Sequence, residues 1–190
     1  GAVINPSVMT GMIAKLHGGD TIPLQLMHNR DVPVGRVIDA QMINGENGPQ
    51  LNAMFYLNMK TDGALVEKLD SSVIGETSVS VVPSQILCSE CGFDYMGISA
   101  SLDNLWNCTC DQGHVIGQDG VHANLQGLQK WGELSLVDQG AVSGAKVLAR
   151  SQQRMGQVST PERLAARGFD DNVFTLTASA TMPKPAPAPA

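Results

Sequence analysis

Two short stretches concentrate the side chains best able to do chemistry. Cys88-Ser89-Glu90-Cys91-Gly92 puts two thiols three positions apart, with a glycine where the chain must turn. Sixteen residues further on comes Cys108-Thr109-Cys110-Asp111-Gln112-Gly113-His114. Zinc takes four nitrogen or sulfur ligands in a tetrahedron, and two ligand-bearing turns separated by a loop can supply them. The favoured set is Cys88, Cys91, Cys110 and His114, with Cys108 as the substitute, because adjacent positions in Cys-x-Cys rarely both ligate without strain. A four-cysteine set stays open, and so does a pair of disulfides. Four protein ligands leave no position for water, so the expected zinc is structural, ordering an insertion too small to build its own core. Phe93, Tyr95, Leu105 and Trp106 are expected to pack around it, while His17 and His122 read as ordinary surface or packing residues.

The elements that must carry these groups are mostly strands. Asn5-Pro6 is a cap and first-turn proline for a helix that presents Val8, Met12, Ile13 and Leu16 and stops at Gly18-Gly19. Ile22 to His28 reads as a strand with His28 at its end, followed by a turn at Asn29-Arg30-Asp31. Val34–Ile38 and Leu51–Leu57 read as two more strands, joined through Asn44-Gly45 and Asn47-Gly48, dipeptides that tolerate positive φ. A short helix is expected over Asp62–Leu69. Strands are expected over Val73–Val82, where Ser78 and Ser80 share one face, and over Gly132–Val137, where Glu133 and Ser135 alternate with Leu134 and Leu136. Ser159-Thr160-Pro161-Glu162 predicts a late helix ended by Gly168. The Pro/Ala run from Pro183 to Ala190 reads as an extended, solvated arm.

The chain has 190 residues, 43% hydrophobic and 16% charged, which supports a packed interior and excludes global disorder. Aromatics are 4%, so aliphatic residues and nine methionines must build that interior. The net charge of -6 is the wrong sign for gripping nucleic-acid phosphates over a broad surface. No run approaches the roughly 20 apolar residues of a membrane span. Cysteines grouped within one segment suit a metal clip in a reducing compartment. The expectation is therefore a soluble protein with neither nucleic acid nor membrane as a direct partner, whose start at Gly1 is processed or trimmed.

Three segments belong together: Pro23-Leu24-Gln25-Leu26-Met27-His28 with Pro33-Val34-Gly35-Arg36-Val37; Glu76-Thr77-Ser78-Val79-Ser80-Val81; and Glu133-Leu134-Ser135-Leu136-Val137-Asp138-Gln139-Gly140-Ala141. As a set they resemble the prohead (capsid maturation) protease family of tailed bacteriophages. The resemblance spans about Asn5 to Leu148, outside the cysteine insertion. It implies a mainly β (α+β) fold: an antiparallel β-barrel of the herpesvirus assembly-protease kind, flanked by short helices. Residues 1–87 and 122–150 would form the protease-like barrel, 88–121 the zinc-binding insertion, 151–182 a C-terminal helix and extension, and 183–190 the tail. It further implies His28 as general base, Ser78 as nucleophile and Glu133 as the group that orients the imidazole. A serine hydroxyl is a poor nucleophile until an imidazole takes its proton, and the pair meets in space rather than in sequence. Ser80, on the same strand face, is the rival nucleophile. Three features depart from the family pattern: Ser80 stands where a glycine is usual, Gly132 where arginine is frequent, and the chain begins near the family's first helix, apparently without a strand before it.

The function this implies is a serine endopeptidase that cleaves scaffold or capsid-protein extensions within the phage prohead in the host cytoplasm, with the major capsid and scaffold proteins as partners. The competing expectation is a capsid decoration or cement protein that keeps the fold without the chemistry. A zinc-ribbon nucleic-acid module is a third expectation, which the acidic balance disfavours.

Overall fold

The computed structural model describes residues 2–31, 33–45, 48–58, 63–97, 105, 107–140, 145–150 and 173–179. The expected helix at 159–168, the Pro/Ala arm and Trp106 lie outside these residues. The chain runs β1 (Ala2–Ile4), α1 (Pro6–His17), β2 (Pro23–Leu26), β3 (Gly35–Gly45), β4 (Gly48–Leu57), α2 (Gly63–Asp70), β5 (Glu76–Val82) and β6 (Gln85–Cys88). A single 3-10 turn (Tyr95–Gly97) follows, then β7 (Ala123–Gln126), β8 (Lys130–Val137), β9 (Lys146–Arg150) and β10 (Val173–Ser179). The protein is thus mainly β with few helices, as expected.

Seven strands make one curled sheet in the order β10-β4-β3-β2-β8-β5-β9, and β9 pairs back onto β10. The sheet is mixed, which corrects the expectation of an antiparallel barrel: β2 runs parallel to β8, with Leu24, Gln25 and Leu26 opposite Leu134, Ser135 and Leu136. Hairpin signals describe neighbours in sequence, and β2 and β8 are distant in sequence, so nothing local reveals their relative direction. A second sheet of three strands has the order β1-β7-β6. Its β1 corrects the expectation that no strand precedes the first helix: Ala2 to Ile4 pair in parallel with Ala123 to Leu125. The last barrel strand, β10, falls in the segment expected as helix and extension, and it pairs along β4 from Tyr56 to Gln50.

Local rules account for the helix and hairpin. The Asn5 side chain accepts from the Ser7 amide, Pro6 takes the first turn, and Val8, Met9 and Met12 are buried. β3 and β4 run longer than the expected strands because they continue pairing as a ribbon to Gly45 and Gly48. A register shift between Val37 and Asp39 lets Val37 and Ile38, consecutive in sequence, both be buried. Gly35 is required where β3 crosses β4, since a Cβ there would lie 1.9 Å from the Tyr56 carbonyl oxygen. One continuous core joins Leu24, Phe55, Leu57, Leu134 and Leu136 of the barrel to Ile86, Tyr95, Leu105, Cys110 and Ile116 of the second sheet and cysteine segment. Among the described residues no helix is long and apolar enough to cross a membrane.

Candidate functional site

β8 lies between β2 and β5, and its side chains alternate between two faces. Leu134 and Leu136 point into the core, where they are 1% and 0% exposed. Glu133 and Ser135 occupy the other face. Residues directly opposite in paired strands share a face, so Ser80, opposite Glu133, and Ser78, opposite Ser135, join it. Gln25, opposite Ser135 from β2, joins as well. Gln25, Glu133 and Ser135 are buried, and Ser78 and Ser80 are half-buried.

His28 reaches this face by a reversal of the chain. Past Leu26 the Met27 amide still bonds the Leu136 carbonyl at 2.9 Å, and the Asn29 amide then turns back to the Leu26 carbonyl. Met27 and His28 both adopt left-handed backbone, with φ of 51° and 57°. Such conformations cost non-glycine residues about 1–2 kcal/mol each and persist only where surroundings hold them. Here the His28 amide donates to Ser135 Oγ at 3.2 Å, and ring Nδ1 lies 2.8 Å from Glu133 Oε1. The Ser135 hydroxyl donates to Glu133 Oε2. Each carboxylate oxygen thus has its own partner, and the backbone carbonyl of Glu133 accepts from the Trp131 indole at 3.0 Å. The imidazole is half exposed, with a side-chain accessibility of 50%, against 5% for Glu133.

The structure therefore brings His28 and Glu133 together and sets Ser78 one strand away, opposite Ser135. Among the described hydrogen bonds, none joins His28 to Ser78. Sequence reasoning placed Ser135 on the face but assigned it no role, and the alternation of Glu133, Leu134 and Ser135 was the signal. The departures at positions 80 and 132 prove to be one feature. A Cβ on Gly132 would sit 3.2 Å from both the carbonyl oxygen and Oγ of Ser80, so a side chain at 132 would press on Ser80. The register shifts at this point, Ser80 facing Glu133 and Val81 facing Trp131, which leaves Gly132 as the extra residue of a bulge.

The second constellation is the cysteine segment. Cys88 ends β6, and the chain turns so that the Gly92 amide bonds the Cys88 carbonyl at 3.0 Å, with Gly92 at φ 75°. The other turn is one residue tighter: the Gly113 amide bonds the Cys110 carbonyl at 3.0 Å, and the His114 amide donates to Cys110 Sγ at 3.2 Å. The ligand atoms of Cys88, Cys91, Cys110 and His114 all lie within 4.8 Å of one another. Cys91 Sγ is 3.6 Å from Cys110 Sγ, and His114 Nδ1 is 3.3 Å from Cys110 Sγ and 3.8 Å from Cys88 Sγ. Ordinary zinc bond lengths in a tetrahedron give edges of about 3.8 Å between sulfurs and about 3.6 Å from sulfur to nitrogen. These four residues could hold a metal ion, and the spacing is compatible with zinc.

No disulfide joins any of the four cysteines, which removes the alternative of a disulfide pair, and Cys108, the expected substitute, is outside the four-residue group. Burial opposes ionisation of Cys88, but the Cys91 and Glu90 amides prevail and bring its thiol down to about 7. For Cys91 the Phe93 amide pulls downward, yet burial and the neighbouring Cys110 and Cys88 sulfurs push it up to about 11. Tyr95 is fully buried and packs edge-on against Phe93 at 5.3 Å, and Leu105 is buried too, as expected. Burial, with the Cys88 sulfur beside it, raises the Tyr95 hydroxyl well above its ordinary range. The remaining histidines have local partners: His17 meets Asp39 at 3.0 Å, and His122 meets the Gly120 carbonyl at 3.1 Å. No protein-family model, curated protein or solved structure matches this chain.

Proposed function

We propose that the protein is a serine endopeptidase of the phage prohead-protease type, acting on scaffold or capsid-protein extensions, with zinc held by Cys88, Cys91, Cys110 and His114. The observation that carries this reading is the His28–Glu133 pair on the strand face that also bears Ser78. In this reading Glu133 accepts the Nδ1 proton of His28 and fixes the tautomer, leaving Nε2 with a lone pair. Nε2 then takes the Ser78 proton as Oγ attacks the scissile carbonyl, and returns it to the leaving amine. The strained backbone at Met27 and His28 supports the reading, because such strain concentrates at functional sites. The bound zinc would supply order and no chemistry, since four protein ligands leave it no open position.

A second reading is a decoration or cement protein of the capsid that keeps the fold and the metal clip. What favours it is that, among the described hydrogen bonds, none joins His28 to Ser78, together with the close approach of Ser80 to Gly132. Co-expression with scaffold and capsid proteins separates the two. Ser78→Ala should abolish processing while fold and zinc content stay intact. Equal cleavage by that variant would overturn the assignment of Ser78. An unmodified protein that cleaves nothing, yet stays on mature heads at stoichiometric copy number, would establish the decoration reading instead.

A further inference from the structure

Ser135 is completely buried, and its hydroxyl spans two groups that sequence alone would never connect. It accepts from the backbone amide of His28 and donates to Glu133 Oε2, while Glu133 Oε1 meets the His28 ring. The three residues thus form a closed ring of hydrogen bonds: turn to hydroxyl, hydroxyl to carboxylate, carboxylate to imidazole, imidazole back to the turn. We propose that Ser135 is a positioning residue that locks the His28 turn and the Glu133 carboxylate together, so that the imidazole is held with Nδ1 on Glu133 and Nε2 outward. The proposal rests on the peptidase reading for its effect on rate, and on geometry alone for its effect on the ring.

The chemistry suits a hydroxyl and little else. Serine offers one proton and two lone pairs, so it can donate to an anionic oxygen and accept from an amide at once. An alanine would leave the His28 amide and Glu133 Oε2 without this partner, and because Glu133 is buried its freed oxygen would seek another. The terminal torsion of a glutamate is broad, so a carboxylate held through one oxygen swivels where one held through both does not. The amide it would release belongs to a left-handed residue, so backbone and ring would loosen together. Ser135 also stands directly opposite Ser78, and the same contact sets the His28 turn relative to β5.

The test is nitrogen NMR of the His28 ring in the full-length, zinc-loaded protein, alongside peptidase kinetics on the co-expressed scaffold protein. The parent should show one tautomer with the proton on Nδ1. Ser135→Ala should show mixed tautomers and a kcat lower by up to about a hundredfold at unchanged KM, the size of loss expected when a proton-transfer group is misplaced rather than removed. Ser135→Thr, which keeps the hydroxyl, should restore the single tautomer. If the alanine variant does not fold, Ser135→Cys, close in size but a weak donor, should show the same mixing. A parent without a fixed tautomer, or an alanine or cysteine variant with the parent's ring state, overturns the proposal. A ring that responds to Ser135 in a protein that cleaves nothing keeps the positioning role and removes the peptidase reading.

Discussion

Stripping metal from the four-residue cluster should lower the melting temperature of the whole chain, and the size follows from how the cluster is built in. Cys88 and Cys110 belong to the same continuous core as Leu24, Leu134 and Leu136, so disorder at the clip removes support from the barrel. A ligand that binds only the folded state stabilises it by about 4 kcal/mol when its free concentration is a thousandfold above Kd. For a chain of this size each kcal/mol moves the melting temperature by about 2–4 °C, which gives a shift of roughly 8–16 °C. The measurement is a thermal melt under reducing conditions in a zinc buffer and in chelator, with zinc stoichiometry determined separately. Cys110→Ser should abolish the shift, because Cys110 Sγ is the atom within 3.6 Å of both Cys91 Sγ and His114 Nδ1. Cys108→Ser should keep it. Identical melts with and without zinc, or a shift lost with Cys108 and kept without Cys110, would refute the assignment.

Two further outcomes are expected. Metal affinity should fall with falling pH, since protons compete for thiolates: between about 7 and 11 binding displaces the Cys91 proton, and below about 7 it displaces the Cys88 proton too, so the slope of log Kd against pH steepens by one unit there, as isothermal titration across buffers will show. Leu134→Ala, beneath Glu133 and Ser135 and 1% exposed, should cost about 2–5 kcal/mol in urea unfolding.

Features written locally were legible in the sequence. The cap at Asn5, the hairpin glycines, the alternation of β8 and the paired cysteine turns each depend on residues within a few positions of one another. The grouping of Cys88, Cys91, Cys110 and His114, which could hold a metal ion, was readable for that reason. The expected boundaries failed where polarity misled: Gln41 and Asn44 extend β3 although they read as loop, whereas Val73 reads as strand yet is exposed beyond α2. β6 and β7, four residues each, are too short to announce a sheet. Least visible was the left-handed pair at Met27 and His28, because methionine does not favour positive φ, although histidine does so more than most types. That turn, with the parallel seam it crowns, is what carries His28 to Glu133.

The His28–Glu133 contact bridges 105 positions across that seam. A growing chain that has emerged only as far as β5 already holds the imidazole and the Ser78 and Ser80 hydroxyls, yet has nothing to seat the ring against. Whatever this face does, it begins only when β8 has slid between two strands made long before it. Synthesis order thus acts as a timer: the contact waits for β8, the fifth of the seven strands of the wall to be made, with β9 and β10 still to follow.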